Sequence, residues 1–485
     1  MTSRWRRRRW RHDATGSGLG DELRLTLQSL ADAVGGQIQS GDPDGEIGNI
    51  VIDTRTLQPG DFFVALRGER FDGHAFVADA FASGAAGALV DRPGQGTHGG
   101  SAAIVHVGDT TRALQDLAHA VRAASGTRVI AITGSAGKTT TKEAIAEFLS
   151  LRFRVVKNKG NLNNHIGLPL SLLQLRERPQ VAVMELGMNH AGEIRTLAAV
   201  AAPDVRVWTN VGDAHIGFFG SSDAIADAKA EILEGARPDD LLVCNADDAR
   251  ITARSRAFAG RIVTFGTSPH ATIRACDIED LGVDGIRARV TTPEGERVIA
   301  TPLLGRGNLD NVLAATAVAL EFGIPLDDIA AAAMRLKPAD RRGAVRRLRG
   351  GIVLIDDSYN SSPDALRQAL DVLARETRVA RKVAVLGEML ELGDRATALH
   401  EESGRRAAAA GLRMLIAIGG GGARTLADAA VAAGMPAASV SYFEKSELAA
   451  PAAAAAVRAG DLVLVKGSRG TRTDIVADRL AAEFS

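Results

Sequence analysis

Short apolar runs alternate with longer amphipathic stretches through the middle of the chain. Residues 129–132, 181–184, 205–208 and 241–244 are mostly apolar runs of the length of a strand that is buried on both faces. Residues 142–149 and 223–233 place apolar side chains at helical spacing. Strands that alternate with helices in this way predict an α/β fold with a parallel sheet.

The same alternation resumes after a change of composition at residues 336–343. We expect strands at 351–355, 382–386, 414–418 and 462–465, separated by helices, which predicts a Rossmann-like sheet. Before residue 108 the elements are shorter, with a strand at 62–66 after the Pro59-Gly60 turn. We therefore predict an α/β protein of three domains: a small mixed α/β N-terminal domain (23–108), a central domain with a mainly parallel sheet (109–336) and a C-terminal Rossmann-like domain (337–485).

The composition favours a cytoplasmic protein that does not bind nucleic acid. The 58 basic and 58 acidic residues give a formal net charge of zero. The two cysteines, Cys244 and Cys276, are far apart in sequence, which argues for a reducing compartment and against a disulfide framework or a zinc site. No apolar run approaches the roughly 18 residues of a membrane span.

Residues 1–22 form a basic extension, with arginines and two tryptophans, Trp5 and Trp10, in its first half. We predict that it is disordered, or that the start codon has been assigned too far upstream, and we give it no function. Contact with anionic lipid or nucleic acid is the alternative.

The strongest candidate chemistry lies between the apolar run at 129–132 and the helix that follows it. Gly134 and Gly137 allow backbone N–H groups to approach an anion, and the helix N-terminus adds partial positive charge. Lys138 can reach the outer phosphates of a nucleotide and Thr139 can bind Mg²⁺. The pattern Gly-x-x-Gly-Lys-Thr is shorter than a P-loop, whose first glycine would fall at Ile132. A helix-entry loop without function is the alternative.

Further polar side chains follow the other predicted strands. Glu185 comes directly after the run at 181–184, where it would hold Mg²⁺ or cap the next helix. His215 follows the run at 205–208 in a glycine-rich loop, so it could meet the same metal or an acceptor. Lys229 lies on an amphipathic helix, and the pattern alone favours a solvent-exposed lysine.

Asparagines mark two more segments. The loop at 158–169 is rich in Asn and Gly, and we expect it to face a substrate rather than to be a plain loop. The segment at 305–311 is expected to cap the alanine-rich helix that follows, and its Asn308 and Asn311 could hydrogen-bond an adenine edge. In the N-terminal region, Asp53, Thr54 and Arg55 stand at strand edges and suit a pyrophosphate and a nucleobase, with ordinary turn residues as the alternative.

Several segments together resemble the central ATPase domain of the Mur ligases: the loop at 133–140, Asn161 to Asn164, Glu185-Leu-Gly, the segments 210–215 and 228–232, and Asn308 to Asn311. The resemblance covers the chain from about Leu23. It implies a P-loop-type central ATPase that uses ATP and Mg²⁺, an N-terminal domain for UDP, and a C-terminal domain that completes the site.

The resemblance also implies roles for individual residues. It implies ATP binding by Gly134, Ser135, Ala136, Gly137, Lys138, Thr139, Thr140, Asn308, Asn311, Arg342 and Asp357. It implies metal sites at Thr139, Glu185, His215 and Lys229, the last as a carbamylated lysine, and catalytic roles for Lys138, His215 and Lys229. Substrate binding is implied for Asp53, Thr54, Arg55, Asn163, Asn164, Tyr359, Asn360 and Lys466.

Within the family, the segments 356–363, 386–393 with His400, and 465–469 resemble the ligases that join D-alanyl-D-alanine to UDP-N-acetylmuramoyl-tripeptide through an acyl phosphate. The Asp-Asn-Pro-Arg motif of the tripeptide-forming Mur ligase is absent. We expect a monomer. That tripeptide-forming ligase, a folylpolyglutamate synthase, and a non-catalytic nucleotide-binding relative remain the alternatives.

Three segments depart from the family pattern. Thr54 stands where the uridine-binding domain usually has Ser, and Arg341-Arg342 stands where Gly-Arg is expected at the interdomain hinge. Ser361 and Ser362 replace Ala and Asn in an Asn-Ala-Asn-Pro motif. We expect Arg342 to take the role of the hinge arginine while a flexible residue is lost.

Overall fold

The computed structural model describes residues 22–68, 71–92 and 102–485. The predicted basic extension therefore lies outside the described residues, apart from Glu22.

The N-terminal elements build a small mixed sheet. They are β1 (Leu25–Thr26), α1 (Leu27–Val34), β2 (Gln37–Ser40), β3 (Glu46–Ile47), β4 (Ile50–Val51), β5 (Phe62–Val64), α2 (Val77–Ala82), β6 (Gly87–Val90) and β7 (Ala103–His106). The strand order is β2-β7-β6-β5-β4, with β2 antiparallel and the others parallel, while β1 pairs with β3. The strand predicted at 62–66 is β5, and its three residues are buried.

The central elements extend from Thr110 to Ala333. The first half comprises α3 (Thr110–Ser125), β8 (Arg128–Thr133), α4 (Lys138–Leu149), β9 (Val155–Lys157), α5 (Gly167–Leu172), β10 (Val181–Glu185), α6 (Glu193–Ala201), β11 (Val205–Trp208), α7 (Ile216–Phe219) and α8 (Ser222–Ala230). The second half comprises β12 (Leu241–Asn245), α9 (Ala249–Ser255), β13 (Arg261–Gly266), β14 (Ile273–Asp280), β15 (Ile286–Thr292), β16 (Gly295–Thr301), α10 (Gly305–Glu321) and α11 (Leu326–Ala333).

These central strands form one sheet in the order β16-β15-β14-β13-β12-β11-β8-β10-β9. Its pairs from β9 to β14 are parallel, and β15 and β16 add an antiparallel hairpin at one edge. Strand β8 is central because Val129 and Ala131 face one apolar cluster while Ile130 and Ile132 face the other. A strand buried on both faces is what its continuous apolar sequence predicts.

The C-terminal elements form a second parallel sheet. They are β17 (Ala344–Arg347), β18 (Val353–Asp357), α12 (Pro363–Arg375), β19 (Lys382–Gly387), α13 (Ala396–Ala409), β20 (Met414–Ile418), α14 (Gly421–Ala432), β21 (Val440–Phe443), α15 (Ser446–Ala456), β22 (Leu462–Lys466) and α16 (Asp474–Glu483). The order is β17-β18-β22-β19-β20-β21, and only β17 is antiparallel among these strands. The sequence predicted β18, β19, β20 and β22 but neither β17 nor β21.

The three larger sheets, each with its own helices, confirm the predicted α/β class with three domains and a mainly parallel central sheet. The carboxyl ends of β8, β10 and β11 meet at one edge of that sheet because parallel strands end together. No helix among residues 22–68, 71–92 and 102–485 is long and apolar enough to cross a membrane.

Hydrogen bonds from one arginine side chain and one backbone amide join the N-terminal and central domains. The Arg176 guanidinium, after α5, donates to the carbonyl oxygens of Leu23, Ile47 and Gly48, and Leu23 N–H donates to Arg176 O at 2.8 Å. One buried arginine therefore holds two separate N-terminal segments against the central domain.

Candidate active site

The loop between β8 and α4 adopts a conformation that requires both of its glycines. Gly137 has φ +78°, and a Cβ atom there would lie 2.1 Å from Asn311 Oδ1. Gly134 has φ +154°, and a Cβ atom there would lie 1.9 Å from Thr209 Oγ1. Only glycine fits at either position without displacing a neighbour.

The loop after β11 fixes the shape of this loop. Asn210 Oδ1 accepts a hydrogen bond from Ala136 N–H at 2.8 Å, and Asn210 Nδ2 donates to Ala136 O at 3.0 Å. Ser135 Oγ donates to Gly212 O at 3.0 Å. A backbone held by its neighbour in this way is preorganised to receive an anion.

Lys138 is held inside the loop. Its ammonium donates to Gly134 O at 2.8 Å. Burial lowers the pKa of Lys138, Glu185 opposes that shift and Arg342 adds to it. The Lys138 ammonium thus lies beside the N-terminus of α4, and a phosphate oxygen could replace Gly134 O as its hydrogen-bond acceptor.

Glu185, at the end of β10, is buried and directed at the start of α4. Its Oε2 accepts from Thr139 Oγ1 at 2.7 Å, and its Oε1 accepts from Asn163 Nδ2 at 2.9 Å. Burial alone would raise the pKa of Glu185, but Lys138, the Thr139 hydroxyl and Lys142 together hold it below its usual value. Glu185 is therefore a carboxylate beside the phosphate loop, not a helix cap.

Asn158 and Lys142 were not identified from the sequence, yet both hold Glu185 in place. Asn158 is buried, and its side chain accepts from Glu185 N–H at 3.0 Å and donates to Glu185 O at 3.1 Å and Leu162 O at 2.9 Å. The buried Lys142 ammonium donates to Asn158 O at 2.8 Å. The available signal was that Asn158 opens the asparagine-rich loop and that Lys142 lies on the face of α4 toward it.

Two further asparagines of that loop, Asn163 and Asn164, differ in their contacts. Asn163 reaches the Glu185 carboxylate, and its amide lies against Gly187. Asn164 Oδ1 accepts from Gly167 N–H at 2.8 Å at the start of α5. Asn164 thus contacts the first residue of α5, and both asparagines also line the cavity between the central and C-terminal domains.

The segment at 305–311 does not precede α10 as expected. The helix begins at Gly305, so Asn308 and Asn311 lie inside its first turns, where no side chain caps its N-terminus. Asn308 Nδ2 donates to Leu304 O at 2.9 Å, and Asn311 Nδ2 donates to Asn308 Oδ1 at 3.1 Å. The helix therefore begins about two turns earlier than expected, and its first residue, Gly305, adopts φ +77°, which glycine does without strain.

Lys229 is buried on α8, with 2% of its surface exposed. The expectation from helical spacing alone, a solvent-exposed lysine, is wrong because this face of α8 packs inward. Burial, with Lys138 nearby, lowers the pKa of Lys229 well below its usual value. No residue in the described part of the chain makes a hydrogen bond or an ion pair with its ammonium.

His215 caps α7 and is partly buried. Its Nδ1 lies 2.7 Å from Glu391 Oε2 of the C-terminal domain. Burial and Lys138 lower the pKa of His215, and Glu391 opposes the shift. The imidazole is therefore expected to be neutral at pH 7.

The C-terminal domain contributes a buried lysine at the end of β22. Lys466 Nζ lies 2.7 Å from Asp357 Oδ2 and donates to Asn360 O at 3.0 Å. Strands β18 and β22 are parallel neighbours, with Asp357 opposite Lys466 in register. This pair places one positive and one negative group at the edge of the C-terminal sheet.

Arg342 stacks on Tyr359, with its guanidinium carbon 4.1 Å from the ring centroid, and Arg469 approaches the same ring at 5.7 Å. The preceding Arg341 has φ +54°, the left-handed conformation that glycine adopts readily. Arg341 Nη2 donates to Asp478 Oδ2 on α16 at 2.9 Å. The backbone conformation that suits glycine is thus kept, and the flexibility of glycine is lost as expected.

A cavity of about 650 Å³ lies between the central and C-terminal domains. The following residues with an implied role line it: Ser135, Ala136, Gly137, Lys138, Thr139, Thr140, Asn163, Asn164, Glu185, His215, Asn308, Asn311, Arg342, Asp357, Tyr359, Asn360 and Lys466. The residues with an implied role that do not line it are Gly134, Lys229, Asp53, Thr54 and Arg55. In the N-terminal domain, Asp53 and Arg55 form an exposed ion pair at 2.6 Å.

The donor set beside the phosphate loop suits a hard divalent cation. Thr139 and Glu185 offer the oxygen atoms that such a cation prefers, and His215 lines the same cavity with a nitrogen donor. No group of three His, Cys, Asp or Glu side chains within residues 22–68, 71–92 and 102–485 could hold a metal ion without other ligands. Mg²⁺ usually takes only one or two protein ligands and completes its shell with phosphate oxygens and water. The residues therefore fit Mg²⁺ that arrives with a nucleotide.

Asp310 also lines the cavity and was not identified from the sequence. Burial, with Asp247 adding repulsion, raises the pKa of Asp310 to about 7. Carboxyl groups rarely have a pKa near 7, and burial is the usual cause when they do.

Comparison with known proteins connects this geometry to a family. Three family models match: "Mur ligase family, catalytic domain" over residues 46–148, "Mur ligase middle domain" over 132–319 and "Mur ligase, glutamate ligase domain" over 341–469. The UDP-N-acetylmuramoyl-tripeptide--D-alanyl-D-alanine ligase of Bacillus subtilis is 36% identical over 467 residues, which cover 96% of this chain and 100% of the relative.

Solved structures agree. MurF from Acinetobacter baumannii has a TM-score of 0.85 at 34% identity and covers 95% of this chain and 99% of its own. MurF ligase from Thermotoga maritima in complex with ADP has a TM-score of 0.78 at 29% identity and covers 90% of this chain and 97% of its own. These similarities extend over all three domains, and the chain therefore belongs to the Mur ligase family.

Proposed function

We propose that the chain joins D-alanyl-D-alanine to UDP-N-acetylmuramoyl-tripeptide with hydrolysis of ATP to ADP and phosphate, giving the UDP-N-acetylmuramoyl-pentapeptide precursor of peptidoglycan. The observation that carries the proposal is the cavity in which the phosphate loop faces Lys466 and Asp357 of the other domain. The substrate pair is supported by the similarity, over nearly the whole chain, to relatives named for this reaction.

The first step of the proposed reaction is phosphoryl transfer. A terminal carboxylate oxygen of the tripeptide forms a bond to the γ-phosphorus of ATP, the bond to the β,γ-bridging oxygen breaks, and ADP leaves with an acyl phosphate remaining. Such a step depends on positioning and on neutralising charge. Lys138, which would exchange Gly134 O for phosphate oxygens, and Arg342 are suited to this task.

The second step forms the amide. The amine nitrogen of D-alanyl-D-alanine bonds to the acyl carbon, loses a proton, and phosphate leaves as the bond between carbon and oxygen breaks. We propose that Tyr359, Asn360 and Lys466 hold the incoming dipeptide, because they lie on the C-terminal wall of the cavity. Asn163 and Asn164, on the central wall, would hold the tripeptide end.

The remaining roles follow the family resemblance. We propose that Asn308, Asn311 and Asp357 contact the nucleotide, and that Asp53, Thr54 and Arg55 bind the UDP group outside the cavity. Thr139, Glu185 and His215 would hold Mg²⁺, which neutralises phosphate charge when bound.

We propose that Lys229 is carbamylated. Its burial and lowered pKa favour the neutral amine, whose nitrogen can bond to the carbon of CO₂ and release a proton, leaving an anionic carbamate. The measurement is the ¹³C NMR spectrum of protein equilibrated with ¹³C-bicarbonate. A carbamate signal that is present in the parent and absent in Lys229→Met supports the proposal, and identical spectra contradict it.

We also propose the domain boundaries 23–108, 109–336 and 337–485, a monomer and a cytoplasmic location. Cys244 and Cys276, both unpaired, are consistent with a reducing compartment.

The deciding experiment measures phosphate release by the purified chain with ATP and Mg²⁺. We expect turnover with UDP-N-acetylmuramoyl-tripeptide plus D-alanyl-D-alanine, and none when either is omitted. Turnover only with folate plus glutamate, or only with the UDP-dipeptide plus a diamino acid, would replace the proposal by the corresponding ligase. Nucleotide binding without turnover on any pair would indicate the non-catalytic alternative.

A further inference from the structure

The loop after β11 and the loop after β19 meet across the boundary between the central and C-terminal domains. His215 Nδ1 lies 2.7 Å from Glu391 Oε2, and Gly217 N–H donates to Glu391 O at 3.0 Å. His215 has φ +65° and Glu391 has φ +66°, so both partners of the contact have left-handed backbones. Residues with side chains rarely adopt this conformation, and such residues cluster at functional sites.

Two glycines set the distance between these loops. A Cβ atom on Gly217 would lie 2.5 Å from Gly393 N and 2.7 Å from Glu391 O, and one on Gly393 would lie 2.8 Å from Gly217 Cα. No side chain fits at either position while the loops stay in place. The backbones of the two loops are thus in direct contact, and this contact fixes the position of Glu391 beside His215.

The loop that carries Glu391 is itself anchored in the C-terminal domain. Met389 N–H donates to the Nε2 atom of the buried His400 at 3.0 Å, and Leu390 N–H donates to Ser468 Oγ at 3.0 Å. The Glu388 carboxylate accepts from the N–H groups of Gly420 and Gly422. Glu391 therefore moves with the C-terminal domain as a whole.

The hydrogen bond determines which nitrogen of His215 carries the proton. A carboxylate can only accept, so a bond between Nδ1 and Glu391 requires the proton on Nδ1 and leaves the lone pair on Nε2. No other described residue hydrogen-bonds to the ring, and His215 lines the cavity. Carboxylate partners of this kind orient metal-binding histidines in many proteins.

We propose that Glu391 is a positioning residue that acts only while the central and C-terminal domains are in contact. In that state it orients the His215 ring and fixes its tautomer, which leaves Nε2 free for a divalent cation. The inference rests on the proposed function, in which His215 serves the Mg²⁺ site. Because coupling between two equilibria is reciprocal, a cation bound at His215 also stabilises the contact between the domains.

The first test uses the free protein, without nucleotide or metal. Long-range ¹H–¹⁵N NMR spectra of histidine-labelled protein report the tautomer of each of its 10 histidines, and His215→Gln assigns the signal of His215. We expect the Nδ1-protonated form in the parent chain and a shift to the Nε2-protonated form in Glu391→Ala. The control is Glu401→Gln, since the Glu401 side chain is 47% exposed and that of Glu391 46%.

The second test measures Mn²⁺ affinity by EPR in the presence of a non-hydrolysable ATP analogue. We expect Glu391→Ala to weaken Mn²⁺ binding about 10- to 100-fold, the usual loss when such a partner is removed. Glu391→Asp, which keeps a carboxylate on a shorter side chain, should recover part of the loss. A contact that only held the domains together would leave the His215 tautomer of the free protein unchanged, even if its loss weakened Mn²⁺ binding through the coupling between the domains.

The two proposals fail separately. An unchanged His215 tautomer or an unchanged Mn²⁺ affinity in Glu391→Ala would overturn the positioning role, whatever the ligase assay shows. A chain that shows both changes but has no turnover with the tripeptide and dipeptide would retain the positioning role and lose the proposed reaction.

Discussion

Replacing Asn158 by alanine removes the side chain that joins the asparagine-rich loop to the end of β10. Asn158 is 1% exposed and its side chain makes three hydrogen bonds, two of them to the backbone of Glu185. The substitution leaves the N–H and C=O groups of Glu185 without these partners in a buried place.

The expected cost follows from these two groups. A buried polar group that loses its partner costs about 1–3 kcal/mol. Water that enters the space left by the amide would satisfy part of the loss, so the lower half of the range applies. We expect the free energy of unfolding of the central domain to fall by about 2–4 kcal/mol.

The assay exploits the three tryptophans of the chain. Trp5 and Trp10 are replaced by phenylalanine, so that the buried Trp208 on β11 becomes the single fluorophore and reports the central domain in a urea titration. The control is Asn161→Ala, an exposed asparagine in the same loop. If the two variants differ in stability by less than about 0.5 kcal/mol, the range of an ordinary surface substitution, the reasoning is refuted.

Three further predictions concern other parts of the site. Lys138→Ala should abolish phosphate release and leave the circular dichroism spectrum unchanged; turnover in that variant would remove Lys138 from the mechanism. Asp310 has a pKa of about 7 in the folded chain and 3.8 in the unfolded chain. Between pH 3.8 and pH 7 the folded state therefore binds one proton more than the unfolded state, and the free energy of unfolding falls as the pH rises through this window. Asp310→Asn should therefore gain stability over the parent at pH 8 but not at pH 4 in urea titrations, and equal gains would contradict the shift. Arg341→Gly should be more stable than Arg341→Ala by about 1 kcal/mol in thermal unfolding, because alanine keeps the left-handed strain that glycine relieves; equal stabilities would show that the backbone there is not strained.

Much of the central fold could be predicted from the sequence because its signals are local. Strand β8 is a continuous apolar run, its loop contains two glycines, and α4 follows with helical spacing. Glu185 was placed beside the phosphate loop because parallel strands end at a common edge. These inferences need only neighbouring residues and one rule of topology.

What the sequence could not indicate depends on residues distant from one another. The contact between His215 and Glu391 spans 176 positions, and nothing in either loop specifies the other. The burial of Lys229 depends on which face of α8 packs inward, and a lysine at helical spacing normally faces solvent. Strands β17 and β21 are short and mostly half-buried, so their apolar pattern is weak.

Arg341 affects how freely the C-terminal domain can change its orientation relative to the central domain. A glycine at position 341 would allow more backbone conformations between the two domains. The C-terminal domain could then adopt more orientations when it is not in contact with the central domain, and this larger conformational entropy would favour the separated state. Arg341 has a left-handed backbone conformation and donates a hydrogen bond to Asp478 on α16, and both restrict the backbone conformations available to the linker. We therefore expect the orientation of the C-terminal domain relative to the central domain to vary less than it would with glycine at position 341.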